Sequence, residues 1–248
     1  MKSLSISAAW QDTQVFLRRE AALLVPVSLL FIAVPLALMM MVIPPELRTP
    51  SLDPNLPKPE MPGWTILVII SCSLIAMGGI LSLYAMALKS AISVREALIM
   101  GFRRLGVALG ASIIIGLVAV VPALLLVVVS QPLAVAVMFV VAVLLSIRLL
   151  MLNCVVIDQP AGVIDTLKRS WAITQGQMLR LLGFLIIITI PIMLGRLVCE
   201  MLLGLVGFMI GGKELGLLTS AVGAATALAL GQLVMIVMIS RLYRQLTQ

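Results

Sequence analysis

The chain contains no histidine and only three cysteines, and these shortages exclude several classes of site. Histidine is the commonest general base, proton shuttle and zinc ligand, so Ser-His and Cys-His nucleophile mechanisms are ruled out. Cys72, Cys154 and Cys199 lie singly in apolar stretches, without the paired spacing of a zinc site, a redox dithiol or a disulfide framework. The sequence therefore predicts no catalytic residue, no metal site and no cofactor.

Charged residues are also scarce, at 11% of 248 residues, whereas 62% are hydrophobic. A soluble domain is about 45–50% apolar, so a water-soluble globule is excluded, and a disordered chain is excluded as well. In such a chain the net charge of +7 is an orientation signal rather than a nucleic-acid footprint. We predict an all-α integral membrane protein, a single polytopic domain over 1–248, with no nucleic-acid partner.

Six hydrophobic runs are long enough to cross a bilayer, which takes roughly 20 residues each. They lie at about 21–43, 64–88, 106–129, 132–153, 181–205 and 215–240. A polar segment precedes the first run, so no cleaved signal peptide is expected. The proline-rich stretch 44–62 predicts an exposed connector, and the short link at 130–132 predicts a tight turn between the third and fourth runs.

Basic residues fall mainly on one side when successive connecting segments alternate across the membrane. That side carries thirteen of the seventeen basic and five of the ten acidic residues, a net charge of +8, and the other side nets −1. The positive-inside rule then places both termini in the cytoplasm, on a face that should attract anionic phospholipids. The thirteen are Lys2, Arg18, Arg19, Lys89, Arg95, Arg103, Arg104, Arg148, Lys168, Arg169, Arg180, Arg241 and Arg244.

The cytoplasmic segment 162–180 has the pattern of a short amphipathic helix. Val163, Leu167 and Trp171 recur at helical spacing on one face, with Lys168 and Arg169 on the other. An aromatic residue with basic flanks is typical of a helix lying in the headgroup plane. We therefore expect an interfacial helix here, anchored by Trp171.

The same pattern recurs 69 residues earlier, which indicates an internal repeat. Val94, Leu98 and Phe102 form the equivalent stripe, and Ser93 is a suitable helix N-cap. A weaker third copy, anchored by Trp10, precedes the first run. The expected plan is two or three interfacial helices, each followed by a transmembrane hairpin, in repeats 1–88, 89–157 and 158–248; chance recurrence in cytoplasmic loops is the alternative.

Two opposite charges occupy the fifth hydrophobic run, where Arg196 and Glu200 are four residues apart. Charges inside a membrane are costly, so such a pair is a candidate for lining a polar cavity. Alternatively, the membrane-crossing part ends near Leu194 and the pair lies in the outer headgroup region.

Small residues four apart recur in several runs, as at Gly106 with Gly110 and Gly207 with Gly211. Such spacing lets a second helix approach closely. Packing inside the protein and a seam between two copies of the chain both remain open, so a homo-oligomer or another membrane partner is an alternative.

The segment around the amphipathic pattern at 162–180 resembles a known family. Residues 156–160 read VIDQP, 162–164 read GVI and 167–176 read LKRSWAITQG, followed by a long apolar helix. This resembles a bacterial family of six-helix membrane proteins related to the membrane domain of glycerophosphoryl diester phosphodiesterases. The resemblance implies a bacterial inner membrane protein. The chemistry of those namesakes resides in a separate soluble barrel with histidine and clustered carboxylates, which this chain lacks, so no catalytic residue is carried over.

The resemblance also makes Arg148 a candidate site residue. Arg148 is either an interfacial anchor or a bundle-facing group that binds a lipid phosphate or pairs with Asp158. With Lys168 and Arg169 it forms the expected lipid site. We therefore expect a non-enzymatic protein that organises or binds anionic phospholipid; the alternative is a small transporter or transporter subunit, and a membrane enzyme is a third hypothesis.

Overall fold

The computed structural model describes residues 5–43, 62–89, 92–127 and 130–247, and these residues form helices and no strands. Most of the predicted connector at 44–62, and residues 128–129 before the predicted turn, lie outside this range. The fold is therefore a packing of apolar helices, in agreement with the predicted class.

Among the described residues, five helices are long and apolar enough to cross a membrane. The predicted run at 64–88 matches α2, and that at 106–129 matches α4 within two residues. In chain order, the helices are α1 (Ile6–Val42), α2 (Gly63–Leu88), α3 (Val94–Arg103), α4 (Leu105–Val127), α5 (Gln131–Arg148), α6 (Leu152–Asp158), α7 (Val163–Ile173) and α8 (Met178–Thr247).

Helix α8 is broken in its middle and folds back on itself. Gly211 and Gly212 have non-helical backbone angles, and Gly212 has φ 71°, which suits a residue without a side chain. The two legs run antiparallel, because a Cβ at Gly223 would lie 2.8 Å from the Cys199 carbonyl oxygen and one at Gly231 would lie 2.6 Å from Ile192. These glycines therefore serve packing within the protein.

The N-terminal segment does not form a separate surface helix, and this expectation was wrong. Helix α1 runs without interruption from Ile6 to Val42, with a π-helical turn at Leu29–Ala33. The residues between Trp10 and the first hydrophobic run include no glycine or proline that would end a helix. The corresponding link after α7, by contrast, contains Gly176 at φ 81°.

The faces of α3 and α7 that are buried against the rest of the protein differ from their apolar stripes, which we expect to face the headgroup layer. The fully buried residues are Ala97 and Gly101 in α3, and Thr166 and Ser170 in α7, again 69 positions apart. Small side chains let each helix lie close to the end of a long helix, which leaves the larger apolar residues at the edges of the contact. Phe102 and Trp171 are 42% and 46% exposed, close to the 44% of Trp10.

Several of the large buried side chains lie where the ends of α2, α6 and the second leg of α8 meet. Leu81 and Leu83 come from α2, Val155 and Val156 from α6, and Ile236 and Ile239 from α8, and all lie in one apolar cluster. The charged ends of α2 and α8 are thereby held close to each other.

Helix α3 begins with the predicted N-cap, and its first turn makes a testable prediction. Ser93 Oγ accepts from the Glu96 backbone N–H at 3.2 Å, and Glu96 accepts from the Ser93 backbone N–H at 3.1 Å. The Ser93 hydroxyl, which donates to Glu96 Oε2 at 2.8 Å, and the Ser93 backbone N–H together lower the pKa of Glu96. Because the pKa falls on folding, the stabilisation is present above the unfolded-state value and is lost as the pH falls through the folded-state value. Wild type should melt at a higher temperature than Glu96→Gln at neutral pH, and the difference should disappear in acid as Glu96 becomes protonated; a difference that did not change with pH would contradict the prediction.

Candidate functional site

A cleft of about 340 Å³ lies between α1, the C-terminal end of α2 and the C-terminal end of α8. Its polar part carries four cations and one carboxylate, a net charge of +3. Its apolar part comes mainly from α1 and α2. The lining residues are Phe16, Arg19, Glu20, Leu23, Leu24, Met86, Ala87, Lys89, Ile92, Ser93, Arg241 and Arg244.

Arg241 lies against an aromatic ring of α1. Its guanidinium carbon is 4.4 Å from the centroid of the Phe16 ring, a cation–π contact that holds the side chain in place. Its Nε is buried and has no hydrogen-bond partner. Arg241 thus presents a positioned positive charge with an unused donor.

Arg244 and Lys89 bring two further positive charges to the cleft. An Nη of Arg244 donates to the backbone carbonyl of Leu88, one of the carbonyls left without an intrahelical partner at the end of α2. Lys89 is the next residue after Leu88, and it is exposed. In the described part of the chain no carboxylate lies within ion-pair distance of Lys89, Arg241 or Arg244.

Glu20 is the one carboxylate among the residues that line the cleft. Its Oε1 accepts from Arg19 Nε at 2.8 Å, and the two side chains are 31% and 72% exposed respectively. Arg19 is therefore largely neutralised by its neighbour, whereas the other three cations are not. The cleft can bind an anion beside an apolar surface.

The predicted site residue Arg148 lies elsewhere, at the end of α5. Its guanidinium carbon is 4.9 Å from the centroid of the Trp171 ring, and its Nη1 is buried without a partner. Its backbone carbonyl accepts from Ser170 Oγ at 3.2 Å and Thr174 Oγ1 at 3.1 Å. Arg148 thus joins α5 to α7.

Asp158 does not pair with Arg148, contrary to one of the expectations for these residues. Its carboxylate accepts from the Tyr243 hydroxyl at 2.8 Å, because the end of α6 faces the second leg of α8 whereas Arg148 faces α7. Lys168 and Arg169 are exposed on α7 and form no ion pair within the described ranges. The four predicted lipid-site residues are therefore not gathered into one pocket.

The other predicted residues form two separate features. Arg196 Nη2 and Glu200 Oε2 are 3.2 Å apart, both side chains are 37% exposed, and Arg196 Nε is buried without a partner. Trp10 borders an apolar groove of about 680 Å³ between α1 and both legs of α8, together with Phe184 and Pro191.

Sequence reasoning missed the cleft as a unit, although it placed all four of its cations on the cytoplasmic side. Arg19 and Arg241 lie at opposite ends of the chain, so only the tertiary fold brings them together. The available signal was the spacing of Arg241 and Arg244, three residues apart on one face of the last helix.

Within residues 5–43, 62–89, 92–127 and 130–247, no three His, Cys, Asp or Glu side chains are grouped to hold a metal ion. No family model, no curated protein and no solved structure matches this chain.

Proposed function

We propose that this chain is a non-enzymatic bacterial inner membrane protein that binds anionic phospholipid in the cleft between α1, α2 and α8. The observation that carries the proposal is the cleft itself, in which three cations without an ion-pair partner among the described residues border an apolar surface. Guanidinium groups bind phosphate through charge-assisted hydrogen bonds, and an apolar wall next to them accommodates the start of an acyl chain. The family resemblance also supports the proposal, because it implies a membrane module to which no catalytic residue is carried over.

The proposal includes six membrane spans with both termini in the cytoplasm. The break at Gly211 and Gly212 divides α8 into two antiparallel legs, and this supports counting α8 as two crossings. Ser5 and Gln245 support termini on the same side, because the Ser5 backbone N–H donates to Gln245 Oε1 at 3.1 Å. The basic cleft then lies at the cytoplasmic headgroup layer.

Contacts between the helices support the threefold repeat 1–88, 89–157 and 158–248, in which the short segment of the first copy is the start of α1 rather than a separate helix. Helix α3 packs on the end of α2, and α7 packs on the end of α5 through Ser170 and Thr174. The start of α1 lies beside the end of α8, so each short segment contacts the hairpin of the preceding copy, and the last hairpin contacts the first segment. Each copy would then depend on its neighbours for its packing.

A transporter is the second candidate function, favoured by a cavity deeper in the bundle. This cavity of about 320 Å³ is lined by the polar residues Thr189 and Gln232 among apolar ones, and it reaches Ile32 in the π-helical turn of α1. Polar groups at membrane depth often mark a substrate path, and π-helical turns are frequent at functional sites. A solute that stabilises the protein without regard to lipid headgroup would favour this function.

The lipid proposal is tested by removing two positive charges from the cleft. Each cation near an anionic headgroup contributes about 1 kcal/mol. The double variant Arg241→Gln, Arg244→Gln loses two of them and should therefore retain roughly 30-fold less anionic lipid than wild type. Retention is measured by native mass spectrometry of the full chain released from lipid nanodiscs. The control is Arg95→Gln, Arg103→Gln, which makes the same charge change on the exposed side of α3. Equal losses in both variants would contradict a specific site.

A further inference from the structure

The cleft carries a carboxylate next to its cations, and that carboxylate bears on which headgroup fits. Building on the proposed phospholipid site, we infer that the cleft selects a phosphodiester headgroup that ends in hydroxyl groups, of the phosphatidylglycerol type. Phospholipids with a phosphomonoester headgroup, and zwitterionic ones, bind less well. Three properties of the cleft carry this inference: its size, the position of its free cations and the unused oxygen of Glu20.

The cleft is larger than a phosphate group requires. Its volume of about 340 Å³ is at the lower end of the range for pockets that hold small organic ligands, roughly 300–1,000 Å³. A phosphate bound to Arg241 and Arg244 therefore leaves space beside it. That space extends towards Glu20, which lines the same cleft from α1.

The three free cations define where the phosphate binds. Arg241 is held on the Phe16 ring and Arg244 on the Leu88 carbonyl, so both guanidinium groups are positioned before a ligand arrives. Neither guanidinium has an ion-pair partner among the described residues, so a phosphate oxygen would be their counter-ion. The phosphate therefore binds at the end of the cleft formed by α2 and α8.

Glu20 then decides between headgroups at the α1 side. Its Oε1 accepts from Arg19, whereas its Oε2 has no hydrogen-bond partner in the described part of the chain. Oε2 is an acceptor only, so it favours a group that brings a hydroxyl donor. Ser93 does not compete as a donor, since its Oγ donates to Glu96 at 2.8 Å.

The same carboxylate disfavours the other headgroups. A phosphomonoester headgroup ends at the phosphate and brings no hydroxyl-bearing group that reaches Glu20, so its Oε2 stays without a donor. An ethanolamine headgroup could pair its ammonium with Glu20 but brings no net charge to a cleft of net charge +3. A single-charged phosphodiester with hydroxyl groups satisfies both the cations and Glu20.

The inference is tested by headgroup competition on the full-length chain. Nanodiscs of phosphatidylcholine containing equal amounts of phosphatidylglycerol and phosphatidic acid are prepared, and the lipids retained by the released protein are counted by native mass spectrometry. A hydrogen bond to a charged group corresponds to about a tenfold change in affinity, so wild type should prefer phosphatidylglycerol about tenfold. Glu20→Leu should lose this preference while still retaining anionic lipid. The control Asp165→Asn removes an exposed carboxylate from α7 and should keep the preference.

The outcomes distinguish a failure of the headgroup inference from a failure of the proposed phospholipid site. Equal retention of both lipids by wild type, with loss of both in Arg241→Gln, Arg244→Gln, overturns the headgroup inference and leaves the phospholipid site standing. Retention that does not depend on Arg241 and Arg244 overturns both. A parallel arm adds glycerol 3-phosphate or inorganic phosphate: if the soluble anion displaces phosphatidylglycerol at comparable concentration, the site binds a soluble anion and the lipid assignment is wrong.

Discussion

Gly101→Ala should destabilise the protein by about 1–3 kcal/mol, whereas Gly106→Ala, five residues further on, should be neutral or stabilising by up to about 1 kcal/mol. A Cβ at Gly101 would overlap the Ser82 hydroxyl and would lie 2.7 Å from the Ser82 backbone nitrogen and 2.8 Å from the Gly78 carbonyl oxygen. Backbone atoms of α2 cannot move aside as a flexible side chain can, so α3 itself must shift.

Gly106 is a close control, because it lies in helix α4 directly after α3 and a Cβ there has no heavy atom within 4 Å. Both variants add one methyl group and both remove the conformational freedom of a glycine, so the difference between them reports the α2 contact. Thermal unfolding of the two variants in the same detergent measures it. Equal melting temperatures would show that α3 does not pack tightly on α2.

The displacement of α3 should also affect the cleft. Ile92 and Ser93, at the start of α3, form part of its wall, so Gly101→Ala should reduce anionic lipid retention although residue 101 does not line the cleft. Retention unchanged in Gly101→Ala would indicate that the wall from α3 contributes little to binding.

Sequence patterns predicted the long helices well because crossing a membrane requires an apolar run of a set length. The run at 64–88 begins one residue after α2 does, and the runs at 181–205 and 215–240 lie one in each leg of α8. The uninterrupted α1 was not predicted, because an amphipathic segment followed by an apolar one reads as two elements. The two segments form one helix because no helix-breaking residue lies between them.

The buried faces of α3 and α7 show a second limit of sequence patterns. Hydrophobicity ranks Leu98 and Leu167 above Gly101 and Ser170, yet the smaller residues are the ones that make the closest contacts. In an apolar environment the driving force between helices is close packing and hydrogen bonding, not burial of the largest side chain. The cleft was missed for another reason, since its cations come from three helices that meet only in the folded chain.

The Arg196 and Glu200 pair should behave as charges within the hydrocarbon layer, and this has the largest expected effect of any single substitution. The first leg of α8 is apolar around the pair. Leu194 lies before it, Leu197 lies between its two members and Met201 follows it, and each of these side chains is more than half exposed. The leg begins at Met178, 18 residues before Arg196, and ends 10 residues after Glu200, roughly 27 and 15 Å at 1.5 Å per residue. The pair therefore lies well inside the leg rather than at its border.

Glu200→Leu leaves Arg196 without its partner and should destabilise the protein by about 3 kcal/mol, whereas Arg196→Leu, Glu200→Leu should unfold close to wild type. Unfolding of the full chain in lipid bicelles gives both free energies and the coupling between the two sites. The pair Arg19 and Glu20 is the control: Arg19 is 72% exposed and keeps its solvation when its partner is removed, so that removal should change stability by less than about 1 kcal/mol. If Glu200→Leu were no more destabilising than Glu20→Leu, the Arg196 charge would already be solvated, and the pair would belong to the outer headgroup region.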